Sequence, residues 1–89
     1  MNLLETLASH IRKQGNFAGT DATAGFIAEH LQIPRDAVRC YDQCIDDCGD
    51  EPGTYVMKAC FTVKYNGAEH TVRVYYLDAT EEIGAIDVY

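Results

Sequence analysis

No apolar run in these 89 residues approaches the roughly 18 needed to cross a bilayer, so no segment reads as membrane-spanning. Basic residues are scarce: 7 Lys and Arg stand against 14 Asp and Glu, a formal charge of −7. A field of that sign repels phosphate backbones and membrane surfaces and attracts basic partners. The first residues, Met1 to Leu7, hold an early acid and no basic region, so they do not read as a secretory signal. The four cysteines are therefore expected as reduced thiols, and the expected setting is cytoplasmic. Repeats, linkers and low-complexity tracts are missing, and one domain over 1–89 is expected. Signatures of catalysis are missing as well. His10, His30 and His70 lie far apart in sequence, and no Ser or Cys sits in a nucleophile elbow. Gly15, Gly19 and Gly25 do not follow a strand, as a phosphate loop requires. A non-enzymatic protein with no cofactor and no metal is the expectation.

What is present centres on Asn66-Gly67, which separates two runs rich in β-branched and aromatic residues. A two-residue type I′ turn needs positive φ at both positions, which Asn and Gly tolerate. The turn sets the register: Lys64 opposite Glu69, Thr62 opposite Thr71, Phe61 opposite Val72 and Ala59 opposite Val74, all favourable pairs. The strands are expected over 54–65 and 68–77, with a third over 83–89.

Upstream, Leu4, Leu7, Ala8 and Ile11 recur at helical spacing within 3–14. Ala24, Ile27, Ala28 and Leu31 do so within 22–32, with Thr20 or Asp21 as cap. Pro34 suits the first turn of a third helix, 34–48, and Gly49 its C′ position. Asp50 to Gly53 reads as a turn. The expected fold is a two-layer α+β domain, with N-terminal helices packed on one face of a C-terminal three-stranded antiparallel meander. Met57, Ala59, Phe61, Val63, Val72, Val74 and Tyr76 form the covered face.

Four groups of residues carry candidate chemistry. Cys40, Cys44 and Cys48 are spaced i, i+4, i+8, which on a helix makes one straight row. Such a row converges poorly on a tetrahedral zinc, so a buried stripe of soft residues is expected, with Cys60 in the following strand. Asp42, Asp46, Asp47, Asp50 and Glu51 form an acidic run that, at a helix C-terminus, opposes the dipole. That broken local rule marks the run as a docking surface for a basic protein. Val56, Cys60, Arg73, Tyr75 and Leu77 fall on the sheet face away from the helices, a possible homodimer face.

The fourth group is Phe26 to Arg39, which resembles the helix-turn-helix of bacterial regulators: Ala28 is the small residue, Gln32-Ile33-Pro34 the turn and Val38 the buried aliphatic. The resemblance implies DNA binding through Arg35 and Arg39. Gln32 replaces the usual turn Gly, and the second helix continues into Asp42, Asp46 and Asp47, so this is the alternative reading. In size, acidity and lack of catalytic residues the chain is similar to the small inhibitors that phages deploy, anti-CRISPR proteins and other nucleic-acid mimics. That likeness implies an inhibitor occupying the basic, nucleic-acid-binding surface of a partner, with no direct binding of nucleic acid or membrane.

Overall fold

Asn66 and Gly67 adopt φ of 52° and 75°, the left-handed region their turn demands. They join strands β2 (Val56–Tyr65) and β3 (Ala68–Leu77) in the expected register, Lys64 facing Glu69 and Phe61 facing Val72. The computed structural model describes residues 3–51 and 54–89. Met1, Asn2, Pro52 and Gly53 lie outside the described residues, and with them part of the turn expected over 50–53.

Two α-helices precede the sheet, α1 (Leu7–Arg12) and α2 (Thr20–Leu31). The first is shorter than 3–14, residues 3–6 forming a turn. The second follows Gly19, and no side chain among the described residues caps it, so Thr20 and Asp21 do not have the capping role expected.

The third helix and the three-stranded sheet are corrected by the structure. Pro34 is extended, a short 3₁₀ turn covers Arg35–Ala37, and Val38–Asp47 is a strand, β1. With β4 (Ile83–Val88) the described sheet has four antiparallel strands in the order β1-β2-β3-β4, and the architecture is α+β with two short helices. The reason lies in composition. Eight of the ten residues at 38–47 are Val, Cys, Tyr, Ile or Asp, all mediocre helix formers, and no Ala or Leu supports them. Two bulges, between Cys40 and Asp42 and between Ile45 and Asp47, shift the phase of the strand's alternation. The first bulge sets Cys40 opposite Phe61 and Cys44 opposite Lys58, on different faces of the sheet, so the four-residue spacing marks no common face. Gly49 is no helix end: it sits so close to Thr54 that a Cβ there would overlap it.

The helices cover one face of the sheet. Ala59, Phe61, Val63, Val72, Val74 and Tyr76 meet Leu7, Ile11, Ile27 and Leu31 in a continuous buried cluster. Burial of each large side chain here contributes about 1.5–3 kcal/mol. Phe17 lies flat on Tyr76, ring centroids 4.1 Å apart. Helix α1 packs against β4, and α2 against the start of β1. Among the described residues no helix is long and apolar enough to cross a membrane.

Candidate functional site

In an antiparallel meander, alternate connections share one end of the sheet. The β1–β2 connection brings Asp46, Asp47, Asp50 and Glu51 there, and the β3–β4 connection brings Asp78, Glu81 and Glu82. A backbone bond ties the connections together, Asp78 N–H donating to Tyr55 O at 2.8 Å, and Leu77 N–H closes the second connection on Glu82 O at 3.0 Å. All of these acidic residues are exposed. Lys58 approaches Asp46 at 3.9 Å, a loose surface pair worth little. The other carboxylates of this end make no ion pair among the described residues. Asp42 stands farther along β1, opposite Cys60. The penalty expected from a helix dipole does not arise, because these residues stand on a strand and its connection.

Beside the acidic end lies an apolar groove of about 280 Å³, lined by Val56, Tyr75, Tyr76, Leu77, Glu82, Ile83 and Gly84. Three residues of the expected dimer face, Val56, Tyr75 and Leu77, therefore come together as one wall of a groove. Cys60 and Arg73 pair with each other farther along the same face. Cys60 is only 3% exposed. The Arg73 guanidinium lies 5.1 Å from the centre of the Tyr89 ring, and its Nη1 donates to the Tyr89 hydroxyl at 3.4 Å.

The two edges of the sheet differ. Beyond Val38, β1 leaves the cover of α2 and is largely exposed, with Tyr41 at 54% and Ile45 at 50%. At β4 the chain guards itself. Arg12 Nη1 donates to Gly84 O at 3.1 Å, Ile83 N–H donates to Gly15 O at 3.2 Å, and Asn16 bridges to Glu82.

The cysteines are not a buried stripe. Cys40 and Cys48 are exposed, Cys44 is half-buried, and Cys60 alone of these thiols is buried. Burial pushes the Cys40 thiol up. Burial, and then the Asp42 carboxylate beside it, push Cys44 up as well. Both shifts leave less of the nucleophilic thiolate form. No group of three or more His, Cys, Asp or Glu among the described residues could hold a metal ion.

The second helix of a helix-turn-helix is not there. Arg35, in the 3₁₀ turn, donates to Asp21 Oδ1 and to Val38 O, both at 2.8 Å, and so ties the turn to α2. Arg39 is on β1 opposite Thr62. The two arginines share no helix that could enter a groove.

One grouping has no sequence signal. His10 of α1 stacks on His30 of α2 at 4.4 Å, with Phe26 tilted beside it at 5.3 Å. His30 Nε2 lies 2.8 Å from the Thr6 hydroxyl. Burial, then His30 and Lys13, hold His10 below its ordinary value, with Glu29 opposing. The stack joins the two helices. Comparison of the chain with family models, with curated proteins and with solved structures found no match.

Proposed function

We propose that this protein is a non-enzymatic binding module that occupies a basic surface of another protein, in the manner of an inhibitor that takes the place of nucleic acid. The observation that carries the reading is the gathering of two acidic connections at one end of the sheet. Asp46, Asp47, Asp50 and Glu51 join Asp78, Glu81 and Glu82, with little internal neutralisation. Uncompensated charge of one sign steers an oppositely charged partner and speeds its association. The apolar groove beside them supplies the water-excluding contact that charge alone lacks. Val56, Tyr75 and Leu77 accordingly serve a hetero-partner in this reading rather than a second copy.

The test is affinity capture from nuclease-treated lysate, with the bound proteins eluted by duplex DNA and by salt. Basic nucleic-acid-binding proteins released by DNA are expected. A variant with Asp46, Asp47, Glu81 and Glu82 changed to the corresponding amides should lose them. Capture that resists DNA and persists in that variant overturns the reading.

A further inference from the structure

We infer that the open edge of β1 receives an extended basic segment of the partner, which adds to the sheet as a fifth strand. The inference rests on the reading above and names how part of that surface is taken. Through Asp42–Ile45 the strand pairs one-for-one with β2, between its two bulges, and has no strand on its other side among the described residues. The backbone N–H and C=O groups on that side form a template for another chain. Natural edges are blunted by charge, by proline, by bulges, by short length or by covering chain. β1 has no Pro and runs 10 residues, its two bulges fall on either side of Asp42–Ile45, and the charge within that stretch is the Asp42 carboxylate, which a basic segment neutralises. β4, by contrast, runs 6 and is bonded by Arg12 and Gly15.

The side chains around this run identify the occupant. Tyr41 and Ile45 are exposed apolar residues, which an added strand would cover. Asp42, Asp46 and Asp47 flank them. A second copy pairing here would set these carboxylates against their own kind, a destabilising arrangement for directly opposed charges. A segment alternating Lys or Arg with aliphatic residues meets the carboxylates with cations and the apolar side chains with apolar ones.

The probe is a short synthetic peptide of alternating lysine and valine, compared with the same peptide N-methylated on every amide. Methylation leaves its charge and side chains in place and removes the donors along both edges. Hydrogen exchange of the whole protein should slow in β1 with the first peptide and stay unchanged in β4. The methylated peptide should bind at least about tenfold more weakly, one or two net hydrogen bonds' worth, and protect nothing. Equal affinity of the two peptides, with no protection in β1, overturns strand addition while the acidic-surface reading stands. Failure of both peptides to bind at low salt overturns both. Protection of β1 without peptide, in a protein that sediments as a dimer, overturns the inference in favour of a second copy.

Discussion

β1 and β4 are the two edges of one sheet, and they are finished in opposite ways. At β4 the chain doubles back on itself: Arg12 reaches Gly84 O, Gly15 O accepts from Ile83, and Asn16 bridges to Glu82. At β1 the chain does this only at the start, where Arg35 donates to Val38 O, and beyond that point it leaves Tyr41 and Ile45 in solvent among aspartates. An exposed apolar edge invites uncontrolled pairing, and like charge on neighbouring copies opposes it. The guarded edge is therefore protected by covering chain and the open one by repulsion. Only the second protection can be lifted selectively, by a partner of opposite sign.

The largest expected effect comes from the guarded side. Phe17 holds the covering segment by stacking on Tyr76 at 4.1 Å, and Phe17→Ala should cost about 3–5 kcal/mol in denaturant unfolding. Ile45→Ala on the open edge should stay within about 0.5 kcal/mol. Equal losses at the two sites would erase the distinction between the edges.

Next is Arg12→Ala, which bares the Gly84 carbonyl. About 0.5 kcal/mol should be lost, the low end for one hydrogen bond, because the contact is exposed. Concentration-dependent self-association should appear in sedimentation, since β4 lacks the dense carboxylates of β1. A monomeric variant would mean that Arg12 is no guard.

Acid should loosen the same side. Burial, His30 and Lys13 disfavour the His10 cation in the fold, against the opposing pull of Glu29. Its depressed folded value means that the unfolded chain binds the proton more tightly. The stability it contributes is present above the ordinary value of 6.5 and is lost as pH falls below that, through its folded value. The protection of β4 amides, measured against their intrinsic exchange rate at each pH, should fall over this window, with β1 little changed, and His10→Gln should remove the dependence. A dependence that survives the substitution would assign the effect to another group.

The smallest effect on stability is expected at the acids themselves. Changing Asp46 and Asp47 to Asn should alter unfolding by no more than about 0.5 kcal/mol, since a strand has no macrodipole to relieve. Association with a lysine-rich peptide should nevertheless slow and lose salt dependence. A marked gain in stability would signal helical character in this segment.

The hairpin was legible because a two-residue turn sets its own register and the flanking residues are β-branched or aromatic. α2 was legible through the spacing of Ala24, Ile27, Ala28 and Leu31, all buried. β1 was not, because its bulges place Tyr41 and Ile45 out of the simple alternation that identifies a strand. The acidic run is visible in sequence, whereas Asp78, Glu81 and Glu82 lie far from it in the chain, in the β3–β4 connection. Counting connections would have found them, since the first and third connections of a four-stranded meander must share an end. No such count predicts the His10–His30 stack, which depends on how two helices lie across the sheet.

The bond from Arg12 to Gly84 joins residues 72 apart in the chain, and the order of folding follows from that separation. The β2–β3 hairpin closes over two turn residues, and hairpins form in about 1–10 μs. Seating α1 on β4 closes a loop of nearly the whole described chain and pays the larger entropy of closure. The β2–β3 hairpin can therefore close before the guard of β4 is seated. Until Arg12 and Gly15 reach β4 its edge is bare, and the hazard of pairing with another molecule is greatest while the chain is still assembling.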